Sequence, residues 1–508
     1  MSVSAELRPK RHPGAAISEL ADVAGAVVLA GDERGRVRGV AQAAQSVEPG
    51  DLFVALPGAR THGANFISVA QERGAAAVLT DEAGAACLGG TDAMAVLVAA
   101  APRASLGALC ALVYGDPSAR LTVVGVTGTA GKTTTTYLLE SLFRAAGRAT
   151  GVIGTVETRI GSQSVASSFT TPEAPQTQSL LAVMAEAGVE VVLMEVSSHA
   201  LDFGRVDGTR FAAGGFTNLS HDHLDHHGDM ESYFQAKAKL FQPGSSVAAR
   251  RAVICVDDSW GQRMSRVARG SVTVATGDEA ADWAVLERRE DELGAQQVLV
   301  RGPRERQFAF RLGLLGRHNA ANAVLAVGLA EATGVRVTEE LVRGWADIAV
   351  PGRLERVQAG QDFLAVVDYA HKPESLAKVL QALREHTAGR IAVVVGAGGD
   401  RDQGKRPMMG EVSASGAELV VVTDDNPRSE DPAAIRAQVL AGAQGSSRAE
   451  VWEVASRAEA IARAVRWARA GDTVLVAGKG HETYQEVNGV KSHFDDREIL
   501  ARAIRERG

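Results

Sequence analysis

LTVVGVTGTAGKTTTTYLLESLFRAAG, residues 121–147, decides the fold class. A β-branched apolar run passes into a glycine-rich turn and then into the helical spacing of YLLESLF, so strand, turn and helix follow without a break. A buried strand that feeds a helix in this way is the first half of a parallel βα unit. Gly128 and Gly131 let the backbone curl until its N–H groups and the helix N-terminus face one spot. Lys132 adds a mobile cation there and Thr133 a hydroxyl suited to Mg2+, with Thr129 and Thr134 beside them. A strict GxxxxGK[ST] pattern would need glycine where Val126 stands. A mere glycine cap, however, gives no reason for a lysine followed by four threonines at a helix start. A phosphate loop alone fits a kinase, a GTPase, a motor or a ligase.

The same alternation extends outward. Short apolar runs at 189–198, 213–220 and 251–258, and a second series at 363–370, 390–399, 418–426 and 473–480, each precede a turn and a helical pattern. Mostly parallel sheets covered by helices are expected, with ligands gathering at the carboxyl ends of the strands. Gly115-Asp116-Pro117 and Pro351-Gly352 punctuate the chain. The fold class is therefore α/β in three domains: a smaller N-terminal α/β domain (1–117), a central phosphate-loop nucleotide domain (118–350) and a C-terminal Rossmann-like domain (351–508). A chain of 508 residues, 45% hydrophobic, accommodates that number.

Net charge of −7 argues against a nucleic-acid surface, which needs a concentrated basic face. Cys87, Cys110 and Cys255 are far apart, so neither a disulfide framework nor a CxxC metal site is suggested and a reducing cytoplasm fits. The start, MSVSAELRPKRHPG, has basic residues but no apolar run before Glu19 and Asp22, and no stretch is apolar enough to span a membrane. No nucleic acid, membrane or obligate protein partner is expected; the partners are small molecules.

Three further segments bear on the chemistry: VVLMEVSSHAL (191–201), GGFTNLS running into HDHLDHHGDM (214–230), and ESYFQAKAKLF (231–241). With the TGTAGKTT loop they resemble the central domain of the Mur ligases, specifically the MurE type, which adds the third amino acid of the peptidoglycan stem peptide. The resemblance covers nearly all of residues 118–508. Glu195 and His223 are oxygen and nitrogen ligands at strand ends, suited to a hard divalent cation shared with phosphates. A zinc site is the rival reading of the histidine-rich stretch, but no cysteine and no i,i+4 His-Glu-His helix pattern accompanies it. His226 and His227 read as solvated loop residues. Lys237 matches the lysine that the family converts with CO2 to a carbamate, an anion able to ligate metal where an ammonium would be repelled. Lys239, two residues on, lies roughly 200° around the helix and cannot face the same site.

The resemblance implies more in the C-terminal half. LLGRHNAANAVLAVGLA (314–330) carries the family's HNxxN motif, with Asn319 and Asn322 as nucleotide contacts. PGRLERV and VVDYAHKPESL supply Arg353 and Asp368 near ATP, the arginine arriving on domain closure, and His371 follows. DNPR at 425–428 is the family's signature for diaminopimelate as incoming amino acid, and a guanidinium suits the distal carboxylate that diaminopimelate has and lysine lacks. Arg401, Asp425, Asn426, Arg428, Gly478 and Glu482 are the implied amino-acid contacts; Thr170, Thr171, Ser197 and Arg205 are those to the acceptor. At the uridine end the family has Asp-Ser-Arg, where this chain reads Ala43-Ala44-Gln45.

The activity implied is ATP-dependent, ADP-forming amide synthesis through an acyl phosphate. Lys132, Glu195, His223, Lys237 and Arg353 are the catalytic set, and ATP, Mg2+ and a carbamate on Lys237 are required. Diaminopimelate would be joined to UDP-MurNAc-L-Ala-D-Glu in peptidoglycan synthesis. The alternatives are a paralogous ligase acting on another, UDP-free carboxylate and a non-catalytic nucleotide-binding module.

Overall fold

Every strand of the two apolar series is present in the computed structural model, which describes residues 7–507 apart from 59, 89–93, 168, 278–279, 292–293 and 446–448. The chain divides into two compact units, one holding 1–286, 300–308 and 321–344, the other 287–299, 309–320 and 345–508.

In the first unit the strand Thr122–Thr127 lies between Val191–Glu195 and Phe211–Phe216, parallel to both. Val123, Val124, Val126, Val192, Leu193 and Met194 are fully buried, as a parallel strand covered on both faces requires. Register then positions the site. Glu195 pairs opposite Val126 and Phe216 opposite Thr127, so the ends of both neighbours flank the turn that begins at Gly128. Ala252–Cys255 and Val272–Ala275 extend the sheet on one side in parallel, and Thr150–Ile153 does so on the other. Beyond Thr150–Ile153 comes an antiparallel hairpin, Glu157–Ile160 with Gln163–Ala166, turning at Gly161. The βα reading did not include this hairpin, because its strands, ETRI and QSVA, lack the apolar run of a parallel strand buried on both faces.

A smaller sheet in the same unit runs Val27–Ala30, Ala95–Val98, Ala77–Thr80, Asp51–Val54, Gly39–Ala41, parallel except for its first strand. Its helix Pro102–Val113 shares a core with the helix Ala174–Glu186: Leu106, Leu109, Cys110 and Val113 cluster with Ala174 and Ala182. The backbones come close beside it, since a Cβ on Gly107 would lie 2.3 Å from the Asp207 carbonyl oxygen.

The second unit contains a sheet in the order Glu355–Arg356, Leu364–Asp368, Thr473–Ala477, Ile391–Val395, Leu419–Val422, Glu450–Glu453, all parallel except the first pair. Helices Pro373–His386, Lys405–Gly416 and Pro432–Ala443 cover one face through Leu376, Leu380, Met409 and Val439. Arg457–Trp467 and Asp496–Arg507 cover the other through Ile461, Val465, Leu500 and Ile504. This is a doubly wound sheet whose strand order reverses beside Thr473–Ala477, where ligand crevices form. Among the described residues no helix is long and apolar enough to cross a membrane.

An ion pair braces that switch point. Arg457 and Asp496 have no exposed side-chain surface and meet through two 2.7 Å hydrogen bonds, and Arg457 also donates to the Ala477 carbonyl at 3.0 Å. Asp496→Ala leaves a guanidinium buried without its counter-ion, a change that costs about 3–5 kcal/mol. Denaturant unfolding followed in the second unit should show that loss; a change under ~1 kcal/mol would mean that Arg457 is satisfied without Asp496.

Candidate active site

The turn after Thr122–Thr127 has Gly128 at φ 148° and Gly131 at φ 91°, conformations that side chains rarely adopt. A Cβ on Gly131 would also lie 2.4 Å from Asn322 Oδ1, so the helix carrying Asn322 packs against the loop itself. The next strand end holds the turn's shape: Thr129 N donates to the Asn218 carbonyl at 2.9 Å, Ala130 N to Asn218 Oδ1 at 3.1 Å, and Thr217 Oγ1 to the Ala130 carbonyl at 2.6 Å. Lys132 Nζ donates to the carbonyls of Gly128 and Thr129 at 2.8 and 3.0 Å. Thr133 and Thr134 are buried in the first turn of the helix.

Glu195 is 1% exposed and accepts from Thr133 Oγ1 at 3.0 Å, Thr155 N at 2.9 Å and Thr155 Oγ1 at 2.9 Å. Thr155 was not singled out from sequence. Its only signal is a glycine-threonine pair after an apolar strand, which is common. Thr155 Oγ1 continues the chain of hydroxyls to Thr170 Oγ1 at 3.0 Å.

Lys237, on the helix Met230–Ala238, is 1% exposed and donates to the Gly128 carbonyl at 3.0 Å. Burial holds its amine well below the usual lysine range, and the nearby Lys132 ammonium pushes the same way. Tyr233, also missed from sequence, lies under it: Lys237 Nζ is 4.6 Å from the ring centroid, and the Tyr233 hydroxyl bonds Thr129 Oγ1 at 3.2 Å. His223, at φ 53°, is half-exposed and packs edge-on to Tyr233 and His199. Lys239 points away, to Asp202 and the Leu201 carbonyl. His226 and His227 differ from their sequence reading. They pack in a histidine cluster, with His199 stacked on His226 at 4.4 Å, instead of extending into solvent singly.

Thr171 is buried and donates to the Glu195 carbonyl at 2.8 Å, while its oxygen accepts from Ser197 N at 3.1 Å. Arg205 reaches the Thr171 carbonyl at 3.3 Å and Glu173 at 2.8 Å, between the rings of Phe169 and Phe203. Thr133 of the phosphate loop's helix is thus joined to Glu195 directly, and Thr170, Thr171, Ser197 and Arg205 directly or through one intervening residue. Ala43 precedes a single 3-10 turn, Ala44–Ser46, whose Ala44 is buried beside Val47, Phe53 and Ile67.

In the second unit Asp368, Arg401, Asp425, Asn426, Arg428 and Gly478 lie at or after the carboxyl ends of the sheet's strands. The buried Asp368 accepts from the backbone N–H of Leu354 and Ala370 at 2.7 and 2.8 Å; burial raises its carboxyl, and Arg353 opposes that rise. The Arg353 guanidinium lies 4.7 Å from the Tyr369 ring centroid. Asn319 donates to the Leu315 carbonyl at 2.8 Å. Burial lowers the imidazoles of His371 and His481 to about 4. Arg428, at φ 52°, donates to the Gly399 carbonyl at 2.6 Å, and both it and Arg401 border Gly398. Asn426 donates to Glu482 at 2.8 Å, and a Cβ on Gly478 would crowd Asp425. Lys479, fully buried and not identified from sequence, joins Asn426 Oδ1 at 3.1 Å to Glu482 at 3.4 Å.

Fold and loop together define a phosphate-loop α/β protein with a doubly wound sheet following it. Three family models match: Mur ligase family, catalytic domain (36–105), Mur ligase middle domain (126–330), and Mur ligase, glutamate ligase domain (352–480). A Corynebacterium glutamicum protein named UDP-N-acetylmuramoyl-L-alanyl-D-glutamate--2,6-diaminopimelate ligase is 51% identical over 90% of this chain and 89% of its own. A ligase of the same name from Streptomyces coelicolor is 48% identical over 98% of each. A solved structure of a ligase of that name superposes with TM-score 0.68 at 32% identity, covering 97% of this chain and 99% of the other. The chain belongs to the Mur ligase family of ATP-dependent, ADP-forming ligases.

Thr155→Val removes one hydroxyl donor from a buried carboxylate and keeps the shape. A lost bond of this kind costs about 1–3 kcal/mol. Thermal or denaturant unfolding of the first unit should report it, and unchanged stability would show that Glu195 does not depend on Thr155.

Proposed function

We propose that this chain joins diaminopimelate to the D-glutamate carboxylate of UDP-MurNAc-L-Ala-D-Glu at the expense of ATP. The observation that carries the reading is the convergence of Lys132, Thr133, Glu195 and Lys237 on one glycine turn, in a chain whose relatives bear that ligase's name. A carboxylate oxygen attacks the γ-phosphorus and ADP leaves. The amine then attacks the acyl carbon of the acyl phosphate, and inorganic phosphate departs with a proton released. Lys132 meets the β and γ phosphates, with Gly128, Thr129, Gly131, Thr133, Thr134 and Asn322 around them; Asn319, Arg353 and Asp368 are assigned to the nucleotide as well. Residues 1–117, 118–350 and 351–508 serve acceptor, nucleotide and amino acid respectively.

The donor set fits Mg2+: Thr133 and Glu195 offer oxygens, His223 an imidazole, and Lys237 an oxygen once carbamylated. Mg2+, when bound, offsets phosphate charge during transfer. Lys237 fits the modification because a buried amine held below its usual range is the neutral nucleophile that adds to CO2, releasing a proton. With 13C-labelled bicarbonate, a carbamate carbon resonance should appear in the wild type and vanish in Lys237→Ala. Its absence from an active wild-type enzyme would remove the carbamate from the reading.

Thr170, Thr171, Ser197 and Arg205 are assigned to the acceptor near its reacting carboxylate, and Arg401, Asp425, Asn426, Arg428, Gly478 and Glu482 to the incoming amino acid. Ala43-Ala44-Gln45 offers no charged anchor to the uridine end, so a UDP-free carboxylate belongs beside the UDP-linked dipeptide in the test. ADP release measured over a matrix of acceptors and amino acids should favour the UDP-linked dipeptide with diaminopimelate. Arg428→Ala should lose about 2–5 kcal/mol in kcat/KM for diaminopimelate while barely affecting lysine. Equal wild-type kcat/KM for lysine and diaminopimelate would end the specificity assignment, and turnover only with a UDP-free acceptor would replace the substrate.

A further inference from the structure

Beside the phosphate-loop site lies a second group of ligand-capable side chains that the reaction above does not use. Asp202 closes the short helix Ser198–Asp202, and His226 and His227 close the helix Leu224–His227. His226 Nε2 lies 3.0 Å from Asp202 Oδ2, and one ligand atom from each of Asp202, His226 and His227 falls within 4.8 Å of the others. We propose that these three residues form a binding site for a borderline transition-metal cation, Zn2+ foremost, separate from the Mg2+ ligands assigned to Thr133, Glu195, His223 and Lys237.

The donor chemistry selects the ion. Two imidazole nitrogens and one carboxylate oxygen, with a fourth position open to solvent, are the ligand set of a three-residue zinc site. Mg2+ prefers oxygen ligands in an octahedron and gains little from two imidazoles. Tetrahedral zinc with bonds near 2.0 Å sets its ligands about 3.3 Å apart, so a modest contraction of three partly exposed side chains closes the site. The surroundings support it. Lys239 Nζ sits 3.3 Å from Asp202 Oδ1, orienting the carboxylate with Oδ2 toward His226. His227 Nε2 meets Ser198 Oγ at 3.0 Å, a neutral partner that a metal displaces at low cost. His199, stacked on His226, fixes that ring's plane. A bound ion would cross-link the helix after Glu195 to the segment that carries His223.

The test is titration of the metal-stripped full chain with Zn2+ against a chromophoric chelator in excess Mg2+, followed by Co2+ substitution and visible spectroscopy. The wild type should hold an ion that Mg2+ does not displace and should show the intense bands of four-coordinate Co2+. His226→Phe, His227→Asn and Asp202→Asn should each weaken Zn2+ binding at least about tenfold. Glu195→Gln should leave it within about twofold. Melting curves without metal identify any variant that fails to fold, and the milder Asp202→Asn then decides. No Zn2+ retention in the wild type, retention undiminished in the folded variants, or loss in Glu195→Gln instead would each overturn the proposal.

Discussion

One buried carboxylate organises the first unit. Glu195 is almost wholly removed from water, and a charge so placed persists only if its lone pairs are met. Its donors come from the loop helix through Thr133 and from the strand connection through Thr155, while Thr171 holds its backbone carbonyl. Gly154 follows from the same demand, because a Cβ there would lie 2.5 Å from Glu195 Oε1. Segments far apart in sequence are thus bound to one side chain, and the parallel register that sets Glu195 opposite Val126 brings it to the loop.

The second constraint is electrostatic. Lys132 and Lys237 both donate to the carbonyl oxygen of Gly128. Burial disfavours the ammonium form of Lys237 first of all, and the Lys132 ammonium on the same acceptor adds to it. The Lys237 amine is thus held below the usual lysine range although the Asp222 carboxylate pulls the other way.

How much of this was legible in the chain depends on how local each feature is. The phosphate loop and the central strands are legible because β-branched runs buried on both faces, and glycines at positive φ, leave their mark within a few residues. Lys237 and Lys239 separate correctly by helical angle alone. Thr155, Tyr233 and Lys479 are not legible, since each matters only through a partner brought near by the tertiary fold. The same holds for His226 and His227, which read as solvated until Asp202 and His199 arrive from another helix. The edge hairpin 157–166 escapes a βα reading because its mostly polar strands carry no apolar run to mark them.

The core shared by helices Pro102–Val113 and Ala174–Glu186 bears on how the molecule comes apart. Leu106, Leu109, Cys110 and Val113 pack on Leu52, Val54, Leu79 and Leu97 of their own sheet, and Ala174 and Ala182 close the outer side of that cluster, where the Gly107–Asp207 backbones come close. Parting the two sheets would expose this shared patch, so a nick near Gly115 should leave the pieces associated, while each sheet keeps its own core.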